Sequence, residues 1–584
     1  MSASLIDADS LLLMDVGSVN TRAMLFDVVD GRYRFLAAGV APTTAGTPFQ
    51  DIKGGMRLAI DQLQNITGRT LLGEDGRLIL PGTVDGVGVD TFAATLSAGP
   101  PLKLVVAGLL EDVSLESACR LATTTYSGVI EAISLNDRRK PEDRIDAILR
   151  LRPDLVLVAG GTDGGAARSV LELLEPVGLA CYLMSPDQRP EVLFAGNSNL
   201  HAEIRSALEK IANLHIAPNI RPALELERLE AAQSQLVEVY KKIRKRQIPG
   251  LKELDDWAGG NLIPTAMAFG RIIRFLSRAH ASPKGVLGID VGASATTLAA
   301  AFGGELALGV YPQLGLGSGL AGLLDQVALS DITCWLAADL PDEQVREYLL
   351  NKSIYPSSLP ATPEDLAIEQ ALARQAMRSA VRLTAGGFST NARYSIPGLL
   401  PWVEPILATG SVLSRAPSLA QSVLMLLDGL QPTGAATLVL DQNHLAASLG
   451  AAAAVIPVLA VQVLDSNAFL HLGTVVSPVG NARPGTPILR LKMTYESGHE
   501  ASLDVNQGTL EVLPLPAGQT ARLLLTPLHR YDVGMGEPGR GGGLRVMGGA
   551  LGVVIDARGR PLRLPDDPAR RVELFKKWLW TLGG

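Results

Sequence analysis

Two stretches 275 residues apart carry one pattern: an apolar run, Asp-x-Gly, a polar turn and a second apolar run. They read LLLMDVGSVNTRAMLF around Asp15 and VLGIDVGASATTLAAAF around Asp290. An apolar run broken by a glycine-containing turn and resumed is a β-hairpin signature. The first hairpin pairs residues 11–14 with 23–29 and closes on Asp30-Gly31; the second covers 285–302. A 584-residue chain that repeats this unit predicts two similar lobes. From 103 to 183, short apolar runs (104–107, 129–135, 155–159) alternate with helical stretches from Ser114, over 141–151 and from Ala166. That alternation predicts wound α/β structure. Residues 202–278 read as mostly helical, and from about 473 onward Pro- and Gly-punctuated runs (488–494, 501–505, 510–513, 521–525, 552–555) predict a β-rich tail ending in a small amphipathic helix.

The turns have a mechanical use. An aspartate closing a strand can hold a hydrated magnesium ion through its water shell, because magnesium keeps several waters and takes few carboxylates. The glycine and hydroxyl residues that follow let a tight turn aim N–H and O–H groups at phosphate oxygens. In the first copy these are Asp15, Gly17, Ser18, Asn20, Thr21 and Arg22; in the second, Asp290, Gly292, Ser294, Thr296 and Thr297. A third element, residues 405–413, is an apolar strand running into the small turn Thr409-Gly410-Ser411, where a flat adenine can approach backbone. A G-x-x-x-x-G-K-[ST] loop is absent, which argues against P-loop chemistry. The loop 160–165, with Gly161, Thr162 and Asp163, lies between a strand and a helix, where backbone amides can meet an anion or simply turn the chain. Residues 317–322 match G-x-G-x-x-G by letters alone and are expected as a glycine-rich helix start beneath the second turn.

Composition removes other classes. A net charge of −7 with 47% hydrophobic and 19% charged residues argues against disorder and against a polyanion-coating nucleic-acid binder. The basic run Lys241, Lys242, Arg244, Lys245, Arg246 reads first as a solvated helix end. Cys119, Cys181 and Cys334 are too far apart for a zinc ribbon and odd in number, so a reducing, cytoplasmic compartment is expected. The seven histidines lack metalloprotease spacing, and no G-x-S-x-G elbow occurs. The N-terminal MSASLIDADS does not read as a secretion signal, and residues 449–464, interrupted by Pro457, read as a buried helix rather than a membrane span.

The order of phosphate hairpin, second phosphate hairpin and adenosine turn resembles the actin, heat-shock ATPase and sugar-kinase superfamily. Within it the chain resembles the glutamate-mutase-associated MutL family, which is unrelated to the mismatch-repair protein of that name. The resemblance rests on MDVGSVNTR at Met14, LSAGPPLKLVVAGLL at Leu96, VLVAGGTDGG at 156–165, FAGNSN at Phe194, IPTAMA at Ile263, GIDVGASATT at Gly288 and LATGSVL at Leu407, and covers about residues 10–460. It implies an α/β fold of two actin-like (ribonuclease H-like) lobes with an α/β insertion, plus a C-terminal all-β domain. The expected boundaries are 1–285 for the first lobe, with the insertion at about 101–200 and a helical segment at about 202–280, then 286–464 for the second lobe and 465–584 for the tail.

By the same resemblance, ATP and Mg2+ are the cofactors, Asp15 and Asp290 the catalytic and metal-binding acids, and an adenosylcobalamin-dependent mutase the partner, with the chain acting as its chaperone or reactivating factor. No nucleic-acid or membrane partner is expected, and a homo-oligomer is compatible with this reading. The inserted α/β unit superficially resembles a corrinoid-binding domain, but no histidine precedes His201 to serve as a lower cobalt ligand. The family's first turn ends in lysine where this chain has Arg22. Its second turn has a glycine and an acid where Ala293 and Leu298 stand, and its adenosine turn has glycines at Ala408 and Ser411. Nucleotide binding with weakened hydrolysis is therefore expected, with Leu298→Asp plus Ala293→Gly raising turnover. Two other readings use the same scaffold: a small-molecule kinase with Asp163 as general base, and a non-catalytic actin-like scaffold. The tail is expected to be a detachable β domain, so that a chain ending near Asp465 keeps ATP binding.

Overall fold

The computed structural model describes residues 9–83, 85–280 and 282–584; most of the N-terminal stretch weighed as a secretion signal lies outside the described residues. The chain divides into two compact units. The first holds the described residues up to Gly31, Leu36–Met267 and Gly309–Pro312; the second holds Arg32–Phe35, Ala268–Leu308 and Gln313–Gly584. The division falls within the helix Thr265–Ala279, ahead of the expected boundary at 285.

In the first unit, β1 (Leu11–Val16), β2 (Asn20–Val29), β3 (Arg32–Pro42) and β4 (Thr91–Leu96) form a mixed sheet, completed by a short strand noted below. The β1 strand is apolar and buried over its whole length, as a central strand covered on both faces must be. Between β4 and that last strand lies the insertion: β5 (Leu102–Gly108), β6 (Ser127–Ser134), β7 (Leu155–Ala159), β8 (Glu191–Phe194) and β9 (Asn213–Ile216), all parallel in the order β6-β5-β7-β8-β9. This is the 2-1-3-4-5 order of a flavodoxin-like sheet. The insertion thus runs to Ile216, beyond the expected 200, and it does contain histidines. His215 Nε2 lies 2.6 Å from Glu191, and the His201 ring packs edge-on against Phe194.

The chain then returns to the first sheet with β10 (Ile263–Pro264), giving the order β10-β4-β1-β2-β3. In the second unit β11 (Gly285–Val291), β12 (Thr296–Phe302), β13 (Glu305–Tyr311), β14 (Val403–Thr409) and β15 (Gly434–Leu440) repeat it as β13-β12-β11-β14-β15. In both copies the first two strands are antiparallel, and the first and fourth are parallel. The single helix expected over 449–464 is two, Leu445–Ala452 and Pro457–Leu464, with Pro457 starting the second where its missing N–H costs nothing. No helix among the described residues is long and apolar enough to cross a membrane.

The tail departs from expectation. β16 (Leu470–Ser477) pairs with β15 and extends the second unit's sheet. Of the strands that follow, β17 (Pro487–Tyr495), β18 (Glu500–Asn506), β20 (Thr520–Pro527) and β21 (Gly542–Met547) make a separate antiparallel sheet. The other two, β19 (Leu510–Leu513) and β22 (Val553–Asp556), continue beyond β16 in the main sheet, which has eight strands. Ala435 of β15 shares a core with Leu489, Leu491, Leu523 and Ile555. The all-β character from residue 470 holds, up to the terminal helix Pro568–Thr581, and the tail builds a core from its own strands. What the expectation of a detachable domain missed is that Ala435 joins that core and that β16, β22 and β19 continue the lobe's sheet.

A buried ionic cluster fixes this junction. Asp428, at the end of the helix Leu419–Gly429, pairs with Arg374 at 2.8 Å and with Arg558 at 2.8 Å. Arg558 also holds Asp556 at 2.8 Å, and Arg560 reaches the same carboxylate at 2.6 Å. The Arg558 guanidinium lies 4.4 Å from the ring centre of Trp578, which is buried, whereas Trp580 is exposed. Burial pushes the Asp556 carboxyl up, but the charges and hydrogen bonds of Arg558 and Arg560 outweigh it and hold the group well below the usual carboxylate range.

Candidate functional site

Each hairpin is closed by the same backbone bond. Gly17 N–H donates to the Asn20 carbonyl at 2.9 Å, and Gly292 N–H donates to the Ala295 carbonyl at 3.0 Å. A Cβ on Gly17 would lie 2.7 Å from the Asn20 oxygen, and one on Gly292 would lie 3.0 Å from the Ala295 oxygen. The requirement for glycine is therefore steric: the turn is too tight for a side chain. Asp15 stands opposite Arg22 across its hairpin, and Asp290 stands opposite Thr297. On the parallel side, Asp15 is level with Thr95 and Asp290 with Thr409.

Thr95 and Thr265 complete the first acid's surroundings; Thr265 lies in the IPTAMA stretch, but nothing in the sequence marked either as a partner of Asp15. Their hydroxyls donate to Asp15 Oδ1 at 2.7 and 3.2 Å, while Arg22 approaches Oδ2 at 3.4 Å. Asp15 is 7% exposed, so these three donors replace most of its water. The arginine in place of the family's lysine thus bears on the carboxylate itself.

Among the hydroxyls expected to face phosphate, Thr21 and Thr296 are fully buried. Thr21 faces Thr43 at 3.4 Å, and Thr296 donates to the Leu314 carbonyl at 2.7 Å. Both act as internal braces. Ser18 and Asn20 at the first turn remain partly exposed, while Ser294 and Thr297 at the second are largely covered. Leu316 and Gly317 N–H donate to the carbonyls of Gly292 and Ala293, so the glycine-rich segment lies against the second turn ahead of the helix starting at Leu320. Leu298, where the family carries an acid, is 0% exposed and level with Ile289. It is a core residue here, which overturns the expectation that an acid at 298 restores catalysis.

At the third turn Gly410 has φ +108°, and a Cβ there would run into the Val291 carbonyl. Only glycine combines that backbone with that approach. Thr409 Oγ1 lies 3.3 Å from His444 Nδ1, and Ser414 Oγ lies 3.4 Å from its Nε2. The sequence pattern missed His444; it adopts a left-handed conformation, φ +57°, just ahead of the helix Leu445–Ala452, whose first N–H groups donate to Asp441. Ser411 is exposed at the start of a short helix.

The glycine loop belongs to a different sheet from either hairpin. Gly161 has φ +73° and Thr162 is half-buried. Asp163 Oδ1 accepts from Ser198 N–H, Ser198 Oγ and Asn219 Nδ2, each at 2.9 Å. Desolvation pushes its carboxyl up, but the bonds from Asn219 and Ser198 outweigh it and hold the group below its ordinary value. A base poised near neutrality needs the opposite shift, so Asp163 is better fitted to lock the loop than to activate a hydroxyl.

Each hairpin, taken by itself, has what a hydrated magnesium phosphate would need: a carboxylate held at the end of a central strand, followed by a turn tight enough for main chain to approach an anion. Among the described residues no three His, Cys, Asp or Glu side chains cluster as direct ligands. Magnesium bound through its waters asks for only one or two carboxylates.

Two sheets with one strand order, each opening on an Asp-x-Gly hairpin, define a duplicated α/β protein of the actin-like type. The chain belongs to the MutL protein family, which matches residues 11–468. It is 22% identical over 397 residues to Protein MutL of Clostridium tetanomorphum, covering 65% of this chain and 79% of that one. Among solved structures it is similar to (R)-2-hydroxyglutaryl-CoA dehydratase component A of Acidaminococcus fermentans (11% identity, 76% and 96% coverage, TM-score 0.26). It is also similar to xylulose kinase of Bifidobacterium adolescentis (13%, 78% and 93%, 0.26) and to the ATP-dependent caprolactamase of Pseudomonas jessenii (12%, 85% and 81%, 0.31).

Proposed function

We propose that this chain binds Mg-ATP and uses the bound nucleotide to act as a chaperone or reactivating factor for an adenosylcobalamin-dependent mutase. The observation that carries the nucleotide reading is the twofold occurrence of one device: Asp15 and Asp290 at equivalent strand ends, each before a glycine turn closed by the same hydrogen bond. Bound magnesium would neutralise phosphate charge. Thr95 and Thr265 orient the Asp15 carboxylate, and Arg22 adds a positive charge beside it. Catalysis in such a site is a matter of position and charge rather than covalent chemistry. The departures at Arg22 and Ala293 favour slow turnover and a nucleotide that serves as a state signal. Membership of the MutL family supports the mutase as partner.

The test is recovery of activity. An adenosylcobalamin-dependent mutase from the same organism, inactivated by turnover, is mixed with this protein, fresh cofactor and Mg-ATP. The proposal expects recovery that requires both the protein and ATP. Recovery equal without ATP, or none while the protein demonstrably binds ATP, would contradict it.

A further inference from the structure

The second unit contains a cavity of about 180 Å3 at the starting ends of β14 and β15, away from the Thr409-Gly410 turn. Seven residues of β14 separate the two ends, about 20 Å at the usual rise per strand residue. The cavity is mainly apolar, with Val381, Leu399 and Leu430 in its walls, and Pro561 of the tail closes one side.

Three polar side chains interrupt that lining. Arg378 and Arg382 lie one helical turn apart on the helix Pro363–Thr384. Neither has a carboxylate partner among the described residues: Arg378 stands 5.9 Å from the ring centre of Trp335, and Arg382 donates only to Ser379 Oγ at 3.2 Å. Like charges at this spacing repel one another, so the pair is mildly unfavourable without an anion. The third is Gln431, only 4% exposed. Its Oε1 accepts from Leu562 N–H at 2.8 Å, which fixes the amide's orientation, and its Nε2 donates to no protein atom among the described residues. The Nε2 is not sealed from solvent, so it can donate to a ligand from the cavity side. Arg378 is partly buried and Arg382 exposed, and all three groups can donate to one acceptor carrying negative charge.

We propose that this cavity is a binding site for a small organic carboxylate with an apolar body, separate from the nucleotide hairpins. The guanidiniums would take the carboxylate oxygens in their planar fork, the Gln431 amide would add a third donor, and the apolar walls would cover the hydrocarbon. A bare inorganic anion would leave those walls uncovered, which is why a carboxylic acid fits better than phosphate.

Hexanoate is the probe, with hexan-1-ol and inorganic phosphate as controls, read by titration calorimetry and by melting temperature on the full chain. The site predicts saturable hexanoate binding with a rise in melting temperature, and weaker response to either control. Arg382→Gln should weaken hexanoate by about tenfold or more, since a hydrogen bond to a charged group contributes at least that factor. Gln431→Glu keeps an acceptor for Leu562 N–H but places a carboxylate beside the two arginines. It should abolish hexanoate binding while raising the melting temperature of the unliganded protein. Equal binding of hexan-1-ol would reduce the site to an apolar hole, and tighter binding of phosphate would make it a simple anion site. Absence of hexanoate binding in the folded wild type would leave the arginines as solvated surface charges. Any of these three results overturns the proposal.

Discussion

Asp15 and Asp290 show how much a single position can disclose and where disclosure stops. Asp and Gly are common in any turn, so their placement at strand ends before tight turns was legible because the unit occurs twice, each time after an apolar strand, and the register bears it out. The companions of Asp15 were not legible. Thr95 and Thr265 lie 80 and 250 residues away in sequence and reach it only because β4 and β10 assemble beside β1. Leu298 is the instructive failure. By alignment with a motif it looked like a lost catalytic acid, whereas its burial makes it part of the packing. Leu298→Asp is therefore expected to destabilise the fold by several kcal/mol, the scale of burying an unpaired charge even after it neutralises, and to raise no activity. Chemical denaturation gives the stability change, and a turnover gain in a stably folded variant would show the position to be catalytic after all.

At the scale of one element, the basic run does end the helix Glu230–Gln247, with Lys242, Lys245 and Arg246 half-exposed, but solvation is only part of its role. Lys242 and Arg246 converge on the fully buried Glu191 of the inserted sheet at 3.0 and 2.8 Å, joined there by His215. Lys245 pairs with Asp255, and Arg244 is buried with its guanidinium 5.0 Å from the Tyr240 ring centre. The run's charges are matched internally by acids that its own segment does not reveal. Desolvation pushes the Glu191 carboxyl up, but His215, Lys242 and Arg246 together bring it below its ordinary value. A carboxyl whose pKa is lower in the folded than in the unfolded state contributes stability above its unfolded value, about 4.3, and loses it as pH falls through the folded value. Glu191→Gln should thus cost about 3 kcal/mol at pH 7, the scale of breaking a buried pair, and the gap from wild type should narrow below about pH 4. Urea melts of both proteins at pH 7 and pH 3.5 check this; a gap that widens in acid would reverse the assigned sign.

At the scale of the whole chain, the duplicated strand order was readable from the repeat itself, and the alternation after residue 103 announced the inserted parallel sheet. The tail was readable as strands but not as a partner. Local alternation reports that a strand exists and says nothing of which sheet receives it. β21, Gly542–Met547, was lost among the glycines at 541–543, and β16, absent from the expected strands, pairs along β15. Together with the Asp428–Arg558–Asp556 cluster, that pairing binds the tail, which has its own core, to the second lobe. Truncation near Asp465 would expose the edge of β15 and leave Asp428 without Arg558, and removing one partner of a buried pair costs about 3–5 kcal/mol. The truncated chain is expected to be insoluble or to melt far below the full-length protein. A soluble product with an unchanged melting temperature would restore the detachable domain.

The central claim, that the two hairpins bind a magnesium nucleotide, is tested most directly by calorimetric titration of Mg-ATP into the wild type, Asp15→Asn and Asp290→Asn. Asparagine keeps an oxygen to accept from Thr95 and Thr265 at position 15, so the charge is removed with little change in shape. A native-state ligand at a hundred times its Kd adds about 2.7 kcal/mol of stability, which makes the accompanying melting shift easy to read. Saturable, magnesium-dependent binding to the wild type, lost or weakened at least tenfold in each variant whose unliganded melting temperature is unchanged, is the predicted result. Wild-type affinity in both folded variants, or no binding to the wild type, would contradict the account.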